Sequence, residues 1–400
     1  MAEENDKEVK EEKKGKDKRQ KQKPITSKVT KSSFTHKYLA CHLKMHTGRV
    51  TGFDWSFNEK LVATTGDDRS IGLWILQGVR DEDNKQPLKS IKVNVELDDA
   101  VKIRFYPDDK AFFVNLYNDN SIRGFKITKK DKGSYTATAA LDFKTGHEGE
   151  ITDMGISSNG KFLFTSDNGT NIRVWAPKGE LLESIDSKQI KNNHTAVSTC
   201  GRFIATCGFT PDVKVWEVVF TKNGEFQQVV RAFELKGHRA AVYNFSFSAG
   251  TERMATVSKD GTWRLWDTNV DYKQQQDPYL LQTRELDGIT FSSRIALTPD
   301  GLTVAITRGG SISIFSAKNG ELLEEIRDIF AGDITEISFS RDGMFLGACG
   351  DRVLSLFHNI PGVRAKIKDF EELNKKATGA LAERLRKQIK ECSKKLEKYE

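Results

Sequence analysis

Residues 237–267 read GHRAAVYNFSFSAGTERMATVSKDGTWRLWD, and this stretch decides the fold. After Gly237-His238, the run 241–247 alternates in the period-2 manner of a strand with one buried face. A turn, a second strand (RMATVS), a tight Lys259-Asp260-Gly261 turn and a third strand ending at Trp266-Asp267 follow. The pattern returns around Trp74 (TGDDRSIGLW), Phe125 (NDNSIRGF), Trp175 (NGTNIRVW), Trp216 (TPDVKVW), Phe315 (RGGSISIF) and Phe357 (GDRVLSLF). Successive aromatics lie 51, 50, 41, 50, 49 and 42 residues apart. A unit of this size cannot bury its apolar face alone and must stack on neighbours. Seven copies therefore predict an all-β ring of four-stranded blades.

With Gly-His near the start and Trp-Asp near the end, the unit resembles the WD40 repeat family over about residues 43–360. The resemblance implies a seven-bladed WD40 β-propeller. It also implies a buried hydrogen-bond chain of His, Ser or Thr, Asp and Trp in each complete blade. Carried onto 237–267, these residues are His238, Ser258, Asp260 and Trp266. Blade one keeps His46, Asp68 and Trp74, with Met45 in place of the Gly. Blade three keeps Gly146, His147 and Trp175, with an altered turn. The blades at Phe125, Phe315 and Phe357 lack the His and the Trp and are expected to rely on packing. Because these histidines recur with the repeat, they read as scaffold rather than as catalytic or metal-binding groups.

The seventh blade has strands near 334–340, 344–349 and 353–358 and then stops at Asn359-Ile360-Pro361-Gly362. Its fourth strand is expected from the other end, at 38–43, which would leave no open edge. The propeller is thus assigned to 32–362. Residues 1–31 hold almost no apolar side chains and are expected to be a disordered basic tail. Residues 363–400 read as a helical tail, with Gly379 separating a first helix (about 363–377) from a second. In the second, Ala382, Leu385, Ile389, Cys392, Leu396 and Tyr399 form a heptad seam amid Lys and Arg. That seam has three readings: packing on the propeller or the first helix, a coiled-coil contact with another chain through 382–399, or a membrane-surface helix.

Formal net charge is +7, with +4 in residues 1–31, +5 in 361–400 and −2 between them. A basic DNA or RNA groove on the body is not expected, while the tails can contact RNA weakly. Five cysteines (41, 200, 207, 349 and 392) form no Cys-x-x-Cys pair, which reads as reduced thiols. No uncharged apolar run approaches the length of a membrane span, and MAEENDKEVKEEKK has no apolar core of a secretory signal. Nucleophile elbows, zinc-protease motifs and phosphate-binding loops are missing, so neither catalysis nor a cofactor or metal is expected.

Protein binding through loops on a rigid ring is the expectation that remains. Phe209, Pro211 and Asp212 sit where a blade needs only a short Asp-Gly turn. Tyr272, Asp277, Pro278 and Tyr279 sit in the long connection after Trp266-Asp267. Exposed Tyr and Phe anchor interfaces, so both sets are candidate contact residues. The bland alternative is that the aromatics fold back over the blade rim.

More specific stretches are FTHKYLACHLKMHTG (34–48), NVELDDAVKIRFYPD (94–108), CGRFIATCGFTPDVKVWEVVFTKNGEFQQVVRAFELKGH (200–238), DPYLL (277–281) and GDRVLSLFHNIPG (350–362). Together they resemble the transducin beta-like protein 2 family from about 32 to 400. That resemblance implies a non-catalytic adaptor on the cytosolic side of the endoplasmic reticulum. It implies a link to the stress kinase that phosphorylates translation initiation factor 2. The family usually carries an N-terminal hydrophobic anchor, which this sequence lacks before its basic run. Membrane association is expected only with such an anchor, and a cytoplasmic location without it. The alternative reading is an RNA- or ribosome-associated propeller using its basic tails.

Overall fold

The computed structural model describes residues 34–80, 89–130, 134–397 and 399. The tail expected over 1–31 lies outside them. Seven antiparallel sheets of four strands follow the repeat. Blades 1 to 6 span 50–94, 100–144, 151–186, 192–236, 242–285 and 295–326. Blade 7 takes Glu336–Phe339, Phe345–Gly350 and Val353–His358 from the end of the ring and Leu39–Lys44 from its beginning. This last strand pairs antiparallel with its neighbour, placing Leu43 opposite Leu354 and His42 opposite Ser355. Val50 N–H then donates to Asp351 C=O at 2.8 Å, tying blade 1 to blade 7.

The core lies between blades. Leu61, Ala63, Ile71 and Leu73 of blade 1 pack on Ile103, Phe105, Phe112 and Val114 of blade 2. Leu43, Leu354 and Leu356 of blade 7 pack on Val50, Phe53 and Trp74 of blade 1 in the same way. Both faces of each inner sheet are therefore covered, which is why the middle strands read as continuous apolar runs.

Inner strands of adjacent blades splay apart and cannot share a backbone ladder. Side chains satisfy their edge groups instead, as buried backbone polar groups require. Phe53 N–H donates to Glu336 at 3.3 Å, Phe105 N–H to Asp54 at 2.7 Å, Thr195 N–H to Asp153 at 3.1 Å and Ile295 N–H to Asn244 at 3.1 Å. In each case one blade supplies the acceptor for the next.

Besides a one-turn helix α1 (Gln77–Arg80), the helices are α2 (Ile360–Lys376) and α3 (Gly379–Leu396). The helical tail begins at Ile360 rather than 363. Asn359 caps α2 by accepting from Gly362 N–H at 3.0 Å, and Pro361 occupies its first turn, where its missing N–H costs nothing. Pro-Gly thus opens a helix here instead of ending a domain. Of the three readings of the heptad seam, the structure takes the first. Ala382, Leu385 and Leu396 are buried within the chain, and Leu396 joins Tyr38, Ile360 and Val363 in one cluster. The seam proposed for a coiled coil over 382–399 is used internally. Among the described residues no helix is long and apolar enough to cross a membrane.

Candidate interaction surface

The supports of the loops come first. In blade 5, His238 Nδ1 lies 2.9 Å from Asp260 and His238 Nε2 lies 2.8 Å from Thr256 Oγ1. Trp266 Nε1–H donates to the same hydroxyl at 3.0 Å. A neutral His satisfies every group: Trp donates to Thr, Thr to His Nε2, and His Nδ1–H to Asp. Burial lowers the His238 pKa despite the opposing pull of Asp260, in keeping with that neutral form. Burial pushes Asp260 the other way, but Thr262, Arg239 N–H and His238 together hold its carboxyl well below the usual range.

The hydroxyl in this chain is Thr256, not Ser258. Ser258 Oγ donates to Ala241 C=O at 2.9 Å and accepts from Asp260 N–H at 3.2 Å, shaping the turn instead. Both residues face the same side of the strand; only Thr256 stands level with the indole.

Blade 1 repeats the arrangement with His46, Thr64, Asp68 and Trp74 at 2.8–3.2 Å. Blade 3 does so with His147, Thr165 and Trp175, and its acceptor is Asp167, at 3.1 Å from His147. Packing alone does not replace the chain in two of the blades without His. Asp98 of blade 2 is buried and accepts from the N–H groups of Asn118 and Asp119 at 2.8 and 3.2 Å. Asp351 of blade 7 accepts from Ala331 and Gly332 N–H at 2.9 and 3.2 Å. Blade 6 does rely on packing, with Phe315 against the buried Trp263 at 5.6 Å.

Antiparallel strands put the blade-to-blade connections and the second turns on one face of the ring. The first turns and the third-to-fourth connections lie on the other. The candidate residues accordingly divide. On the second face, α2 meets blade 6 through Lys318–Glu372 and Lys366–Asp300, and Lys395 of α3 reaches Met344 of blade 7.

Tyr272 also belongs to the second face, and it is not an exposed contact residue. Its hydroxyl donates to Glu217 at 2.7 Å, and its ring meets Phe203 edge-on at 5.7 Å. Burial, followed by the Glu217 carboxylate, pushes its pKa up to about 12. It covers the seam between blades 4 and 5. Asp277 is exposed, Pro278 half-buried, and Tyr279 is exposed at the start of the outer strand of blade 5.

Phe209 and Pro211 are exposed on the first face, and half-buried Asp212 lies 3.8 Å from Lys214. Phe209 has company that was not singled out in the sequence. Its N–H donates to Lys191 C=O at 3.1 Å, next to Ile190. Lys191 Nζ stands 5.5 Å over the ring of Phe291, which meets Tyr243 edge-on at 5.7 Å. Ile190, Phe209 and Phe291 are 68%, 61% and 55% exposed, and Lys191, bonded through its C=O to Phe209 and set over Phe291, brings their three connections together as one patch across blades 4 to 6. The available signal was Ile190 as the one apolar residue in the connection 187–191, and Phe291 beside Leu286 and Ile289, which pack on the core while Phe291 does not.

Among the described residues no group of three or more His, Cys, Asp or Glu is placed to hold a metal ion. The family model for the WD domain, G-beta repeat, matches residues 37–74, 140–176 and 229–267. Those segments contain the three complete His-Thr-Asp-Trp chains. Over nearly its whole length the chain is similar to Transducin beta-like protein 2 of Homo sapiens, at 45% identity over 366 residues, 90% of this chain and 81% of the relative. Transducin beta-like protein 2 of Mus musculus is 44% identical over 374 residues, 93% of this chain and 84% of the relative.

Proposed function

The chain belongs to the transducin beta-like protein 2 family of WD-repeat proteins, and on that premise we propose that it is a non-catalytic adaptor. In this reading it joins the endoplasmic reticulum stress kinase to the control of translation initiation, on the cytosolic side of the endoplasmic reticulum. The supporting observation is a closed ring, with a buried hydrogen-bond chain in each of three blades, that presents exposed apolar side chains on the face opposite helices α2 and α3. Propellers of this kind position loops without supplying reacting groups.

Titration of the purified chain with the cytosolic part of that kinase, by calorimetry, tests the reading. Saturable binding is expected, with co-fractionation of the chain and reticulum membranes in stressed cells. No heat of binding at tens of micromolar protein, together with unaltered stress signalling in cells lacking the chain, would overturn it.

A further inference from the structure

We propose that the patch formed by Ile190, Phe209 and Phe291 is the docking surface for a short peptide segment that carries apolar side chains beside acidic ones. This rests on the adaptor reading and specifies the chemistry of the partner. Scattered exposed apolar residues need no explanation, but a contiguous cluster does. Here the three connections are gathered around Lys191, by the Phe209 N–H to Lys191 C=O bond and by the Lys191 ammonium over the Phe291 ring.

The patch is held outward by its supports. Gln189 is fully buried, donating to Asp212 C=O at 3.2 Å and bonded to the Thr210 hydroxyl. With Gln189 pinned below, Ile190 adopts φ +64° and projects into solvent. The left-handed region is strongly disfavoured for a β-branched residue, and such conformations gather at binding sites.

Charge selects the occupant. Lys188, Lys191 and Arg294 lie within three residues of these side chains in sequence, and among the described residues none of them has a carboxylate within 4.0 Å; Arg294 donates to the Phe291 and Ser293 C=O groups at 3.2 Å, and Lys191 stands over Phe291. The neighbouring carboxylate of Asp212 lies near Lys214, and Asp186 accepts from Lys188 N–H at 2.9 Å. A partner with Asp or Glu next to Leu, Ile or Phe would pair with these cations and cover the apolar surface. RNA is disfavoured. The propeller body has a net charge of −2, and the Phe291 ring is already engaged by Lys191 and Tyr243, leaving little platform for stacked bases.

The test is selection of 12-residue peptides from a random display library on the full chain. Selected peptides are then compared by fluorescence anisotropy on wild type and on the Phe209→Ser/Phe291→Ser variant. Enrichment of acidic residues beside apolar ones is expected, with at least tenfold weaker binding to the variant at an unchanged melting temperature. Lys191→Glu should weaken the same peptides and be rescued when their acidic residues are exchanged for Lys. The proposal is overturned by peptides that bind wild type and variant equally, by peptides without acidic bias, or by a selection that yields none. It is overturned as well if oligouridine RNA binds the patch in their place. Kinase binding that persists in the variant sinks this surface and leaves the adaptor reading standing. Peptide binding at the patch without any kinase binding does the reverse.

Discussion

The hydroxyl of Tyr272 donates a 2.7 Å hydrogen bond to Glu217 of the preceding blade, so a residue of a long surface connection closes an inter-blade seam. Burial raises the Glu217 pKa, but Arg202 and Tyr272 outweigh it and keep the carboxyl below its usual range. Tyr272→Phe removes one hydrogen bond to a charged group and should cost about 1.5–3 kcal/mol. Tyr279→Ala should change stability by no more than about 0.5 kcal/mol, because that side chain is largely solvated. Urea denaturation of the two variants checks the contrast. A melt of Tyr272→Phe matching wild type would mean that the connection is not seated on blade 4.

The shared hydroxyl of blade 5 makes a second contrast. Thr256→Val keeps the volume but leaves Trp266 Nε1–H and His238 Nε2 without a partner, at a cost of about 2–4 kcal/mol. Asp260→Ala should cost about 1–3 kcal/mol by the same reasoning. Trp266→Ala should cost about 3–5 kcal/mol, chiefly from the cavity. Thermal melts of all three, with Ser258→Ala as the milder control, rank them. Equal losses for Thr256→Val and Ser258→Ala would contradict the hydrogen-bond chain.

Ring closure predicts unequal truncations. Removing residues 1–31 should leave a cooperative melt. Removing 1–44 takes away the strand paired with Val353–His358 and exposes an edge able to recruit other chains. Light scattering during refolding should show aggregation only for the longer truncation. Equal solubility of both would place the closing strand elsewhere.

Acid sensitivity follows from Asp153 in the inner wall. Burial would raise its pKa, but His194 at 3.1 Å and the more distant Lys102 bring it down to about 2, against an ordinary value of 3.8. A depressed folded pKa gives stability that is fully present above the unfolded value. It is lost as pH falls through the folded one, here between about pH 4 and pH 2. The loss should be on the order of 2 kcal/mol. Asp153→Asn should flatten that part of the stability–pH curve. An unchanged slope in this variant would assign the acid sensitivity to other carboxylates.

The repeat alone determined the seven blades and the strand at the start of the ring that completes its last blade, while the resemblance to the WD40 family pointed to the His, Asp and Trp residues of blades 1 and 5. These follow from local periodicity, because a blade's strands and turns are contiguous in the chain and each has a period that residue types reveal. What tertiary structure alone decided lies between segments far apart in sequence. Thr256 and Ser258 share a face, and only strand register puts the first between His238 and Trp266. Glu336 serves Phe53 across nearly the whole chain, because splayed inner strands leave an N–H that something must accept. The patch joins residues 190, 209 and 291, which belong to three connections with no common motif. Tyr272 and Phe209 carried the same signal of an aromatic in a long turn. One found Glu217 and the Phe203 ring within reach and folded down; the other had Lys191 beneath its backbone and stayed exposed. Side-chain type decides what a residue can do at a surface, but the groups that the ring brings beside it decide whether it remains there.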